Sequence, residues 1–318
     1  AIHVITRQDI RRSGMTSLPE LLRMVPGMQV AQIDGGSWAI SSRGFNAKNS
    51  DNLLVMLDGR ALQTPSFTGV NWDMQDVMLE DVERIEVYRG ATGPLYGGGA
   101  LAGVIAIVTR RNPGIPRVDL AATGGSFGEA AGRVHASGTL GPWEFYATAR
   151  KDKASGWRQN DGHDLDDGLL RINYALSDKQ SLALLLKYSG GTEQAPGALT
   201  AQELREDPRQ TPYNRYDGTR GRHRLASLVY SASPAPGWSL SAQTFGRWSD
   251  RDTLTTGRFG SGFLGSSQER LGGVQAEARH TGAAGPWTWD LSGGGELASG
   301  SLGARGRRPR PDRRHAVG

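Results

Sequence analysis

From residue 113 onward, apolar and polar side chains alternate one by one. Trp238, Leu240 and Ala242 alternate with Ser239, Ser241 and Gln243; Trp287, Trp289 and Leu291 alternate with Thr288, Asp290 and Ser292. Nine such segments start near Arg117, Ala130, Trp143, Gly168, Gln180, Arg222, Trp238, Arg270 and Trp287. A period of two belongs to strands with one apolar and one polar face. The first 112 residues read differently. Thr6 is placed to cap a short helix over Arg7–Arg12 that ends at Gly14, and Ser17-Leu18-Pro19-Glu20 has the form of a capping box. Pro26-Gly27 stops the second helix. Short strands are expected around Met28–Ile33, Trp38–Arg43, Leu53–Leu57, Arg84–Tyr88 and Val104–Thr109, with a turn at Asp58-Gly59 and a helical turn at Glu80–Glu83. A small mixed sheet results, with Leu21, Leu22, Val55, Leu57, Ile85, Val87 and Ile107 in its core.

The connections sharpen the picture. Gly141-Pro142, Ser177–Lys179, Pro234–Gly237 and Gly282–Pro286 are short, and between them lie long polar stretches at 153–167, 190–221 and 250–269. Transmembrane barrels have short turns at the periplasmic end and long loops at the outer end. Trp143, Trp238 and Trp287 each follow a short turn and so fall at one membrane interface, as an aromatic girdle requires. A soluble sandwich or propeller also alternates, but it explains neither the every-other-loop pattern nor the one-sided tryptophans.

Composition adds limits. No run of 18 apolar residues occurs, so a helical span is excluded while barrel strands are not. There is no cysteine, hence no disulfide framework or thiolate metal site. The net charge of +5 comes from the stretch 305–318, with six arginines and one aspartate; the remainder is neutral. Basic residues confined to one Pro/Arg tail argue against nucleic-acid binding. The glycines between Gly90 and Gly103 precede a strand and lack the lysine of a phosphate loop, so tight turns explain them. The six histidines are scattered, and no base faces a nucleophile, so no catalytic residue is assigned and an enzyme is not expected. His135 and His223 fall on strands, where hydrogen bonding inside a lumen accounts for them.

Several motifs carry a family likeness: Ser42-Arg43-Gly44-Phe45, Leu57-Asp58-Gly59-Arg60, the run DVERIEVYRG at 81–90, ATGPLYGGGALAGVIAIVTR to Arg110, and the opening HVITRQDIRRSGMTSLPELLRMVPGM. Together they resemble the plug of TonB-dependent outer-membrane receptors. The likeness covers residues 1–112 in detail and 113–300 in pattern. It implies an α/β plug domain (1–112) followed by antiparallel transmembrane β-barrel strands (113–300), about nine of an expected 22. It also implies import of a scarce ligand, a ferric siderophore first and cobalamin second, across the outer membrane of a Gram-negative bacterium. The implied partners are outer-membrane lipid, the ferric chelate and a TonB-type inner-membrane complex, whose docking segment is absent from this chain. The alternative from another class is a soluble or surface β-rich binding or adhesion protein.

Three sets of site residues follow. At the plug apices, Asn46, Asn49, Gln63, Phe67, Asn71 and Trp72 are candidate ligand contacts; ordinary loop packing is the competing reading. Arg43 and Arg89 end strands before glycine. The resemblance implies pairing with barrel carboxylates, for which Glu144 and Glu277 have lumen parity; pairing within the plug is equally open. Asp161, Asp164, Asp166 and Asp167 cluster oxygens in an outer loop, where calcium or a solvated polar loop are the two readings. No other cofactor is expected. Residues 301–318 read as a basic tail outside the fold, resembling out-of-frame translation. The chain as a whole reads as a fragment with free edges at its first and ninth strands.

Overall fold

The computed structural model describes residues 2–33, 38–42, 44, 52–62, 70, 72, 77–90, 100–110, 116–211, 216–256, 262–285 and 287–307. The N-terminal part opens with β1 (Ile2–Thr6) and α1 (Arg7–Ser13). Thr6 accepts from the Asp9 amide and Asp9 from the Thr6 amide, a reciprocal capping box, and Gly14 closes the helix in the left-handed region at φ 68°. The second helix, α2 (Leu18–Leu21), departs from its expected box: Ser17 makes no side-chain cap, and Glu20 instead accepts from the Thr16 amide at 3.2 Å. Pro19 in the first turn removes a donor that a cap would otherwise satisfy.

β2 (Met28–Gln32) and β3 (Trp38–Ser42) form a separate antiparallel pair. β4 (Leu53–Leu57), β5 (Arg60–Ala61), β6 (Val82–Arg89) and β7 (Gly103–Thr109) join β1 in a mixed sheet of order β1-β6-β7-β4-β5, with β4 parallel to β7. Asp58 and Gly59 turn β4 into β5 with φ of 47° and 82°. Two consecutive positive φ values mark the tight hairpin turn for which Asp-Gly is suited. All seven expected core residues are buried, alongside Ile5, Val82 and Ile105. Each such side chain contributes about 1.5–3 kcal/mol on removal from water, and this cluster holds the domain together.

The rest is one antiparallel sheet of nine strands in sequence order. They are β8 (Arg117–Gly124), β9 (Ala130–Leu140), β10 (Trp143–Ala154), β11 (His163–Ser177), β12 (Gln180–Gln194), β13 (Gly218–Ala232), β14 (Trp238–Thr256), β15 (Gly262–Ala284) and β16 (Trp287–Arg307). β8 and β16 are its edges. Side chains alternate between two faces. Val118, Leu120, Phe145, Leu228, Val274 and Leu297 lie on one and are exposed. Ser137, Tyr146, Thr148, Leu169, Leu185 and Ser227 lie on the other, toward the plug, and are buried. An apolar outside and a mixed polar inside is the pattern of a barrel wall in lipid. At the short-turn end the outer face carries tilted ring pairs: Trp143 with Tyr174 at 4.3 Å and Trp238 with His280 at 4.6 Å between centroids.

Two expectations about length need correction. The strands climb far into the stretches read as loops, so the link at 250–269 is largely the ends of β14 and β15. Mostly polar residues with scattered apolar ones hide a strand from periodicity. Likewise β16 reaches Arg307, opposite Leu264, so the sheet takes in seven residues of the expected tail. Small residues such as Gly300, Gly303 and Gly306 give no alternation, yet their backbones complete the ladder. The outer loop before β13 holds α3 (Ala201–Glu206), opened by a Thr200–Glu203 capping box. Arg158 ties that loop down through the carbonyls of Gly197 and Gln210.

Candidate functional site: the plug against the wall

The site is the seam where the plug meets the inner face of β9–β13. The plug presents two features: the Asp58 turn, and a 3-10 turn at Leu79–Asp81 with Met78 before it. Tyr146 donates to one Asp81 carboxylate oxygen at 2.7 Å, and Thr148 to the other at 2.8 Å. Tyr146 and Thr148 are two apart on β10, so the pleat turns both hydroxyls the same way. Asp81 is almost fully buried. Its carboxyl is held above the usual range by that burial, with the bonds from Tyr146 and Thr148 acting against the rise. Met78 packs beside this bond among Tyr146, Leu169 and Leu185. Arg110 lies over the Tyr146 ring at 5.8 Å.

The second contact is ionic. Arg171 on β11 donates to Asp58 at 2.7 Å, to the Thr109 hydroxyl at 2.5 Å and to the Arg110 carbonyl at 3.0 Å. Asp58 is fixed beforehand, since it accepts from the Thr109 amide at 2.8 Å and hydroxyl at 2.7 Å. A third pair joins Arg133 on β9 to Glu80. Below these contacts, toward the short turns, a cavity of about 710 Å³ separates plug from wall, lined by Asp58, Thr109, Glu144, Arg171, Asn173 and Gln243 among others.

For Arg43 and Arg89 two readings stand side by side, pairing with barrel carboxylates and pairing within the plug. Among the described residues, the carboxylates paired across the seam come from the plug and meet cations and hydroxyls of the wall, while Arg110 of the plug faces the Tyr146 ring. Arg89 bonds to the Pro26 carbonyl within the plug. Arg43 lies outside the described residues. Glu144 faces the lumen as its parity requires but accepts from Asn173 of the neighbouring strand at 3.2 Å. Glu277 keeps lumen parity, opposite Ser241 and Gly294, well away along the sheet from the plug contacts. The missed residues were within reach. Tyr146 and Thr148 share parity with Glu144, and Asp58 and Asp81 sit in the very motifs that carry the resemblance, where the sequence alone shows turn chemistry.

Of the apex candidates, Asn46, Asn49, Gln63, Phe67 and Asn71 lie outside the described residues. Trp72 is half-buried and packs on the plug core. The aspartate cluster does not assemble. Asp164 and Asp166 point one way from β11 and pair with Lys151, while Asp167 points into the lumen and pairs with Arg150 at 2.8 Å. Asp161 lies in the preceding loop, 3.5 Å from the Arg158 amide. The strand's period of two separates the oxygens that a calcium ion would need together. No metal-type cluster of histidine and carboxylates occurs among the described residues. His135 bonds to Asp119 at 3.0 Å on the lumen face.

Comparison with known proteins agrees with this geometry. Residues 1–104 match the family model of the TonB-dependent receptor plug domain. Over 109 residues the chain is 39% identical to the vitamin B12 transporter BtuB of Vibrio cholerae, covering 34% of this chain and 17% of the relative. The fold superposes on the unliganded ferric citrate transporter FecA with a TM-score of 0.83 at 22% identity, over 97% of this chain and 49% of that one. The pyoverdine outer membrane receptor FpvA of Pseudomonas aeruginosa gives 0.83 at 14% identity, over 98% and 48%. The chain therefore spans less than a fifth of the B12 transporter and about half of these solved receptors. Residues 1–104 are thus matched in sequence to the plug domain of TonB-dependent receptors, and the plug with its nine-stranded antiparallel wall has the fold of those receptors.

Proposed function

We propose that this protein acts in ligand-gated, TonB-energised import across the outer membrane of a Gram-negative bacterium, with a ferric siderophore as cargo. The observation that carries this reading is the seam. A plug rests by hydrogen-bonded carboxylates on the polar face of a sheet whose other face is apolar and ringed with tryptophan. A soluble binding protein has no use for an apolar outer face of that extent. Among the described residues, the contacts from plug to wall are polar and cluster at Asp58, Glu80 and Asp81, where a pulling partner can break them in sequence. The cavity beside Asp58 gives displaced plug segments room at the short-turn end. Inner-membrane energy coupling and outer-membrane lipid are the partners that such a plug and wall call for.

The ferric cargo is favoured by the wall's likeness to ferric citrate and pyoverdine receptors over nearly the whole chain. Cobalamin is the second reading, favoured by the plug's identity to the B12 transporter. Growth separates them. A strain lacking the gene should fail on one ferric chelate under iron limitation and grow normally when cobalamin is limiting. The opposite pattern selects cobalamin. Normal growth in both, with the protein recovered only from soluble periplasm, rejects import.

A further inference from the structure

One transverse row on the outward face of the wall departs from the apolar pattern. Tyr188, Arg224, Trp248, Arg270 and Ser301 stand side by side in register on β12–β16. The row holds two guanidinium groups, one on each side of an indole, and no carboxylate. The next carboxylate on this face of β14, Asp250, is already opposite Arg222.

The row beneath it, toward the short turns, is unusually small: Ala226, Gly246, Gly272 and Ser299. Leu228, Val274 and Leu297 rise again below and are exposed. The result is a trough of about 620 Å³ in the outer wall, roofed by Trp248 and Arg270 and floored by glycine. Trp248 leans into it: a Cβ placed on Gly246 would stand 2.5 Å from the indole. Glycine at 246 therefore makes room for the ring.

The depth is fixed by β14. Trp238, at the short-turn interface, and Trp248 are ten positions apart on that strand. At roughly 3.3 Å per residue the two are about 33 Å apart along the strand. A tilt of about 35–45° makes this roughly 25 Å along the membrane normal, the height of a barrel's apolar band. Arg224 and Arg270 thus meet the opposite interface, at the end where the long loops project. Charged side chains are tolerated there at about 0–1 kcal/mol.

We propose that this row and trough bind a phosphorylated lipid of the outer leaflet. Its phosphates lie against Arg224 and Arg270, whose backbones stand two strand spacings, roughly 10 Å, apart. One acyl chain lies along Ala226, Gly246 and Gly272. Guanidinium matches phosphate with paired donors, and a glycine-floored trough accepts a chain without rearrangement. The proposal rests on the reading of the wall as membrane-spanning, and its test keeps the two apart.

The full chain is incorporated into phosphatidylcholine vesicles containing either bisphosphorylated lipid A or its dephosphorylated form. Insertion is read by quenching of tryptophan fluorescence with brominated phosphatidylcholine. Lipid retention is read by mass spectrometry after detergent extraction. The wild type should quench in both vesicles and retain the phosphorylated lipid about tenfold better, the equivalent of one charge-assisted contact. Arg224→Gln with Arg270→Gln should quench equally and lose that preference. Gly246→Leu should lower retention of both lipids and keep the preference. If the glutamine pair fails to insert, the lysine pair, which keeps charge and loses the fork, should insert and show a reduced preference; an undiminished preference counts against the site. Equal retention of both lipids by the inserted wild type overturns the site alone. Absence of quenching overturns the membrane reading and the site with it.

Discussion

In the plug, Leu21 and Leu22 are sealed from solvent, whereas on the wall the chemically identical Leu120, Leu291 and Leu297 stand 64–78% exposed. The polar residues run the other way. Thr148, Ser137 and Asp167 of the wall are buried, while polar residues of the plug surface such as Arg84 are exposed. One chain thus folds by two rules. The plug keeps an apolar core from water, as a soluble domain does. The wall satisfies its backbone in a ladder, turns polar side chains inward and leaves apolar ones for a solvent that is not water. The seam at Asp58 and Asp81 is where a domain of the first kind must satisfy the interior of the second, and it does so by hydrogen bonds with little apolar contact.

The largest expected effect tests that contrast. Leu22→Ala should destabilise the plug by about 2–5 kcal/mol, the range for a leucine truncated in a closed core. Leu120→Ala should stay within about 0.5 kcal/mol in detergent, because nothing packs on it from the protein side. Urea unfolding of the chain in micelles, followed by trypsin cleavage of the plug, measures both. Equal losses at the two leucines would erase the distinction between the two rules.

The seam comes next. Asp81→Ala leaves the Tyr146 and Thr148 hydroxyls buried without their acceptor, at roughly 1–3 kcal/mol for each group left unpaired. Arg171→Ala should cost less, about 1–2 kcal/mol, because Asp58 keeps its bonds from Thr109 and is partly open to water. Reversal of that order would place the main anchor at Asp58. Asp81 also predicts a pH signature. Its pKa is raised in the folded state, so the folded protein holds this proton more tightly than the unfolded chain does. Its contribution is therefore fully present at acid pH, below the unfolded value. It is lost as pH rises through the folded one. Asp9 and Glu86, whose pKa values are lowered, act with the opposite sign. The useful quantity is the difference between wild type and Asp81→Asn across that window. A difference that stays flat with pH would mean that Asp81 is not buried against β10.

Much of this was legible because both rules leave a period in the sequence. Nine strands, the short turns and the girdle tryptophans follow from alternation. The plug core follows from its helix caps and short apolar runs. What failed did so where the period carries no information. β16 runs past residue 300 through glycine and serine, which a ladder accepts without any alternation. The ends of β14 and β15 mix polar residues with scattered apolar ones such as Leu254 and Phe263, which leaves no period to read. The seam was half legible. Parity placed Glu144 on the lumen face, and with it Tyr146 and Thr148. Which plug group would reach that face depends on how two separately folded sheets dock, and no local pattern encodes that. For the plug arginines the sequence leaves pairing with the barrel and pairing within the plug equally open; the described contacts across the seam run through Asp58 and Asp81, residues whose turns bring them to the plug's edge.

The smallest expected effect concerns the outer end of β10 and β11, where four aspartates leave calcium and a solvated polar loop as the two sequence readings. A calcium ion takes six to eight oxygens at roughly 2.3–2.6 Å. Here Asp164 and Asp166 share a face and are both occupied by Lys151, with Lys153 at 3.8 Å from Asp164. Asp167 is on the opposite face with Arg150. To gather these groups, the strand would have to twist out of its pairing with β10 and β12, giving up ladder bonds on both sides. Adding calcium or a chelator should therefore leave the melting temperature unchanged. Lys151→Ala should cost no more than about 1 kcal/mol, since its pairs are half exposed and screened, and that cost should shrink with added salt. Retention of labelled calcium by the wild type, lost in Asp164→Asn, would show that residues 161–167 leave the strand and close around an ion.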